Sequence, residues 1–189
     1  MEPKLIIFSA PSGAGKTSII KYLLDKISSA EFSISATSRK PRKNEKNGID
    51  YHFMSVDSFK KKIENNDFIE FEEVYANAFY GTLNSEIDRI LEKGNTVLLD
   101  MDVKGGLKIK SIFKEKALSI FVNPPSIKSL DNRLTKRAVD SKKSIIERLK
   151  KSEFELGFAE KFDIVLENND LVKTKNEAFR IVSEFIKDK

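Results

Sequence analysis

The chain contains no cysteine, which excludes disulfides, thiolate nucleophiles and sulfur-ligated zinc. It has a single histidine, His52, so a His-rich metal site is excluded as well. No apolar run approaches the ~18 residues of a membrane span. The opening M-E-P-K-L-I-I-F is too short in its apolar part for a secretory signal, and a cytoplasmic location is expected. There is no internal repeat and no low-complexity tract. What remains is an ordinary soluble composition of 189 residues, 40% hydrophobic and 33% charged. That length suits one domain with its own core. Lysine and arginine number 34 against 29 acids, a net +5. This mild excess suits a phosphate-rich small substrate as well as nucleic acid; most lysines are expected on solvated helix faces.

The apolar run at 4–9 predicts a buried parallel strand, and apolar residues at helical spacing from Ile19 to Ile27 predict a helix at 17–27. Further strands are expected at 51–54, 68–75, 96–100, 117–122 and 162–167. Helices are expected at 56–63 (capped by Ser55 or Asp57), 85–94, 105–113, 126–137, 144–156 and 174–187, the last amphipathic with Phe179, Val182 and Ile186 on one face. Residues 33–42 are polar and broken by Pro41, and 44–48 and 77–81 look like turns. Strands alternating with helices indicate an α/β core with a parallel sheet, and the short strands between 33 and 85 suggest an inserted subdomain.

Between the first strand and helix stands S9-A-P-S-G-A-G-K-T17. It differs from the phosphate-loop pattern G-x-x-x-x-G-K-S/T only in carrying Ala10 at the first position. In such a loop Ala10, Pro11, Ser12, Gly13, Ala14 and Gly15 hold phosphate oxygens on their backbone N–H groups, aided by the helix N-terminus. Lys16 reaches the β- and γ-phosphates and Thr17 faces Mg²⁺. Asp100, ending the apolar strand T96-V-L-L-D100, is the second part of such a site, near Mg²⁺ directly or through water. Asp102 is expected on the same side if the strand continues. Arg39 and Arg42 flank Pro41 and would make a clamp for a dianionic phosphate.

These segments, together with S35-x-T-x-R39-x-P-R42, G48-x-D-Y51-x-F, F68-x-E70, Y80-G-T82 and L99-D-M-D102, resemble the guanylate kinase family along almost the whole chain. That family commonly carries Ala or Gly at the position of Ala10. The resemblance implies a P-loop NTPase core (1–33, 85–126 and 150–189), a GMP-binding unit (34–84) and a helical lid (127–149). It implies Mg-dependent phosphorylation of GMP and dGMP by ATP, a step in GMP recycling and GTP supply, with small-molecule substrates and no nucleic-acid or membrane partner. Arg39, Arg42, Tyr51 and Tyr80 would bind the GMP phosphate. Ser35, Glu70, Thr82 and Asp102 would bind guanine, whose adjacent N1–H and N2–H donors suit one carboxylate. Arg133, Arg137 and Asn168 would contact ATP, and Lys16, Arg39, Arg137 and Arg148 would stabilise the moving phosphoryl group. The chain departs from the family pattern at Lys104, Thr135, Ala138 and Asn169. A second reading is a phosphopeptide-binding module on the same fold, against which the intact G15-K-T17 argues. A third is a kinase for another nucleotide or a small metabolite, against which Ser35 and Glu70 argue.

Overall fold

The computed structural model describes residues 4–130 and 142–187. Five strands form a wholly parallel sheet in the order β2-β7-β1-β8-β9. These are β1 (Leu5–Ser9), β2 (Ala30–Phe32), β7 (Thr96–Met101), β8 (Ala117–Asn123) and β9 (Ile164–Glu167). The central strand explains its own composition. Ile6 and Phe8 pack on one face with Ile19 and Leu23 of helix α1 (Lys16–Lys26) and Ala178 and Val182 of helix α6 (Leu171–Lys187). Leu5 and Ile7 pack on the other with Ile87 and Ile90 of α3 (Asn84–Leu91) and Ile109 of α4 (Val103–Phe113). A strand covered on both sides has no polar face, so it reads as an unbroken apolar run.

A second sheet is inserted between β2 and α3, in the order β4-β3-β6-β5. It contains β3 (Ala36–Thr37), β4 (His52–Phe53), β5 (Phe68–Tyr75) and β6 (Ala78–Leu83), covered by α2 (Val56–Glu64). Its small core is aromatic: the Phe59 ring lies 4.3 Å from Phe68 and 5.5 Å from Phe79. Ser55 caps α2 by accepting from Ser58 N–H at 3.1 Å, as expected. The helix α5 (Lys142–Leu156) returns the chain to the first sheet. No described helix is long and apolar enough to cross a membrane.

Four expectations are corrected. Residues 77–81 are not merely a turn, because 78–83 form β6, the strand that joins the second sheet. The polar stretch 33–42 contains β3, and residues 30–32 form the edge strand β2. Strand β7 stops at Met101, and Asp102 becomes the N-cap of α4, accepting from Lys104 and Gly105 N–H at 2.8 and 3.0 Å. In α6 the buried line runs through Thr174, Ala178 and Val182, while Phe179 is 36% exposed; Phe179 follows Ala178 by one position and so is turned about 100° from it.

Candidate active site

The loop 10–15 curves from β1 into α1 with Gly13 at φ 89° and Gly15 at φ 102°, a region that L side chains resist. Ala10 keeps negative φ and packs its methyl into the core beside Ile6 and Phe8. Glycine is therefore not needed there. Gly15 caps α1 without a side-chain bond, so the first N–H groups of the helix face the loop mouth. Behind the loop, Asn168, 1% exposed, donates from Nδ2 to the Ala14 carbonyl at 2.5 Å. A Cβ on Gly15 would run into that amide group. Gly15→Ala is therefore expected to lower Tm by about 3–8 °C, from about 1–2 kcal/mol of left-handed strain plus the clash. Scanning calorimetry checks this.

Lys16 Nζ pairs with Asp100 Oδ1 and donates to the Met101 carbonyl at 2.9 Å, bridging α1 to the end of β7. Thr17 and Asp100 line the same cavity. Two protein oxygens are few for a closed metal cage, and no cluster of three or more His, Asp or Glu is found among the described residues. Such a donor pair fits Mg²⁺, which takes one or two protein oxygens and completes its shell with phosphates and water.

The cavity has a volume of about 410 Å³ and runs without interruption from the phosphate loop to the inserted sheet, where Ser35, Arg42, Tyr51, Glu70 and Tyr80 line it, with Asp102 at the junction. Among the predicted residues of known position, Arg39, Thr82 and Asn168 are not on its wall. Each instead holds a residue of the wall or its immediate support. Asn168 holds Ala14. Thr82 donates to Glu70 Oε1 at 2.8 Å. Arg39 donates from Nε to the Tyr80 hydroxyl at 2.9 Å and lies over the Tyr51 ring at 5.0 Å. Glu70 is 6% exposed. Burial pushes its carboxyl up to about 7, the Asp102 carboxylate adding to the rise and the Thr82 bond opposing it. Burial also raises the Tyr51 hydroxyl.

Glu45 was missed in the sequence. It grips the Arg39 guanidinium at 2.6 and 2.7 Å and accepts from Arg42 N–H at 2.8 Å. Arg39's hydrogen bond holds the Glu45 carboxyl down at about 2, and Glu45 in turn raises the arginine further. A carboxylate matches the fork that a phosphate would use, and Glu45 occupies that fork of Arg39, which stands behind the wall residues Tyr51 and Tyr80. The only local signal was an acid three residues beyond Arg42. Glu155 and Lys151 of α5 also line the cavity; burial raises the Glu155 carboxyl. Asp170 caps α6, accepting from Val172 N–H at 2.9 Å. Arg133, Arg137, Thr135 and Ala138 lie outside the described residues, as does the Arg148 side chain; of the expected lid, 127–130 and 142–149 are helical.

The comparisons with known proteins agree with this geometry. The sequence profile described as "Guanylate kinase" matches residues 2–189. A guanylate kinase of Bacteroides fragilis is 50% identical over 185 residues, 98% of this chain and 91% of its own. One of Porphyromonas gingivalis is 47% identical over 184 residues, 97% of this chain and 98% of its own. The crystal structure of guanylate kinase from Anaplasma phagocytophilum superposes with a TM-score of 0.79 at 29% identity, covering 99% of this chain and 88% of that one. With the family profile covering residues 2–189 and relatives 47–50% identical over nearly the full chain, the chain belongs to the guanylate kinase family of enzymes.

Proposed function

We propose that the chain transfers the γ-phosphoryl group of ATP to the phosphate of GMP, and of dGMP, giving ADP and GDP or dGDP. The observation that carries this reading is the continuous cavity, with the phosphate loop and Lys16 at one end and Glu70, Ser35 and Arg42 at the other. A donor and an acceptor nucleotide can meet in it end to end.

The acceptor side selects guanine. Ionised Glu70 accepts from guanine N1–H and N2–H, held in orientation by Thr82, and the Ser35 hydroxyl donates to O6. Adenine offers an acceptor at N1, which a carboxylate repels. Arg42, Tyr51 and Tyr80 take the acceptor phosphate, with Arg39 and Glu45 fixing Tyr80 and the loop backbone. A phosphate oxygen of GMP attacks the γ-phosphorus, the bond to the β-phosphate oxygen breaks, and ADP leaves with the electron pair. The attacking phosphate is already anionic, so no general base is needed. Catalysis then rests on in-line positioning and charge neutralisation. Lys16 moves from Asp100 to the β- and γ-phosphates, loop N–H groups hold their oxygens, and Arg133, Arg137 and Arg148 add positive charge from the lid. Thr17 and Asp100 would hold Mg²⁺, which would supply further neutralisation of the phosphate charge. The product is one phosphoryl transfer short of the triphosphate, so the reaction returns GMP to the GTP pool.

The test is ADP release with GMP, dGMP, AMP and UMP as acceptors. GMP and dGMP are expected to turn over, and AMP and UMP to show kcat/KM lower by at least about 10²-fold. Turnover of AMP equal to that of GMP would overturn the acceptor assignment. No turnover with any acceptor would leave the non-catalytic binding module.

A further inference from the structure

The inserted sheet is joined to the parallel sheet by two short crossings. On the outward crossing, Ser33 N–H still bonds to the Leu98 carbonyl of β7 at 2.9 Å, and the Ser35 carbonyl already accepts from His52 N–H of β4 at 2.9 Å. Ile34 stands between the two sheets. Its N–H goes to the carboxylate Oε1 of Glu86, at 3.2 Å. Glu86 sits in the first turn of α3, immediately after the return crossing, four residues beyond Thr82.

Glu86 is 6% exposed, and a charge buried so far needs partners. Arg89, one turn on, forks it at 2.8 and 3.2 Å. Arg89 also donates to Glu31 of β2 at 2.8 Å, and Glu31 is held further by Lys93 at 2.9 Å and Asn95 at 2.5 Å. From the inserted sheet, His52 Nε2 approaches Glu86 Oε2 at 3.6 Å. Burial pushes the Glu86 carboxyl up, but Arg89 and the Ile34 N–H outweigh it and the group titrates below the usual range. One carboxylate thus touches the outward crossing, the inserted sheet and, through Arg89, the last strand before the crossing.

We infer that Glu86 is a positioning residue for acceptor recognition: by holding the Ile34 N–H it sets where Ser35 stands in the cavity relative to the Glu70–Thr82 pair. The inference rests on the guanine-side reading given above. Ser35 follows Ile34 directly, and only Leu83 separates Thr82 from α3, so the two guanine-facing segments converge on the turn that carries Glu86. Glu86 lies off the cavity wall and touches no reacting atom. Its effect is therefore confined to the acceptor side, and the phosphate loop, at the other end of the cavity, is outside its reach.

The experiment is steady-state kinetics with GMP and ATP varied in turn. Glu86→Ala is expected to raise KM for GMP about tenfold, through displacement of Ser35, while kcat at saturation and KM for ATP stay within about twofold. Glu86→Gln, which keeps an acceptor oxygen at the same reach, is expected to bring KM for GMP back to within about threefold of wild type. Where Glu86→Ala does not fold, Glu86→Met keeps the side-chain volume and reads the same quantity. A KM for GMP unchanged in Ala or Met while Tm falls would reduce Glu86 to a structural ion pair and overturn the inference. So would KM for ATP rising in step, or a Gln variant as impaired as Ala. Ser35→Ala and Glu70→Gln in the same assay separate the two levels. If they raise KM for GMP and Glu86→Ala does not, only the positioning role falls. If they too leave it unchanged, the guanine-side reading falls and takes this inference with it.

Discussion

Lys16→Ala is expected to lower kcat by about 10²–10³-fold, the usual cost of removing one preorganised donor from developing phosphoryl charge, with the fold intact. The fold persists because Lys16 is a helix-start residue whose ammonium reaches the cavity, while α1 is anchored by Ile19, Ile20 and Leu23. The size of the effect follows from the resting contacts. Lys16 bridges Asp100 and the Met101 carbonyl, so a positive charge is held beside the loop, from which it moves to the phosphates as they arrive. The energy of reorganising solvent around that charge is met on folding, not during the reaction. Circular dichroism and Tm establish folding, and single-turnover rates with saturating ATP and GMP read the chemical step. Lys16→Arg retains charge but carries a planar fork in place of a compact ammonium, and is expected to recover only part of the rate. A Lys16→Ala rate within about tenfold of wild type would remove Lys16 from the transition state and with it the assignment of the loop.

The Asp100 partner sharpens the expectation. Deleting Lys16 leaves a half-buried carboxylate facing an incoming polyphosphate, so ATP binding weakens along with turnover. Lys16→Ala therefore raises KM for ATP while KM for GMP, set at the opposite end of the cavity, changes little. A uniform rise in both constants would point to a damaged fold and not to a lost charge.

How far the sequence carried depended on how local each signal was. Strand β1, the loop and α1 were legible because a doubly covered strand has no polar face, so its apolar run is scarcely broken, and the helix after it repeats every 3.6 positions. The same held for β7, β8 and the capped start of α2. Strand β6 was lost because Asn77 and Gly81 looked like turn residues. Gly81 has a different reason to be there: a Cβ would stand 2.8 Å from the Glu70 carbonyl of the paired strand. That constraint exists only once β5 and β6 are in register. Strands β2 and β3, of three and two residues, are too short to show any period. At the site, the loop, Asp100 and Arg42 were legible from the residue types that phosphate chemistry demands, and Ser35, Tyr51, Glu70, Tyr80 and Asp102 from the resemblance to the guanylate kinase family; all of these line the cavity. Other residues in and behind the wall were not. Glu45, Glu155 and Glu86 are ordinary acids in the sequence, and their meaning comes from Arg39, the cavity and Ile34, which the fold alone brings to them.

Glu70→Gln is expected to lower kcat/KM for GMP by about a hundredfold, since a charged bidentate acceptor is replaced by an amide that matches one guanine donor and opposes the other. The same variant exposes a pH effect in the free protein. Glu70 ionises only near pH 7 when folded, against about 4.3 in an unfolded chain. Below pH 4 both states are protonated and the group takes nothing from stability. As pH rises, the unfolded chain gives up its proton first, so stability falls through the window from about 4.3 to 7 and levels off above the folded value, a total on the order of 4 kcal/mol. Glu70→Gln lacks this slope, and urea midpoints of the two proteins between pH 5 and 7.5 should diverge in the variant's favour. Binding runs the other way. Guanine needs the ionised carboxylate, so the wild-type affinity for GMP drops about tenfold per pH unit below 7 as the acid reprotonates. The GMP phosphate also titrates near 6, but it does so for both proteins, and the difference between wild type and Glu70→Gln isolates the carboxyl. Calorimetry in buffers of different ionisation enthalpy should detect more proton released on GMP binding at pH 6 by the wild type than by the variant. Equal proton release from both would mean that Glu70 is already ionised in the free protein, with Thr82 alone offsetting its burial.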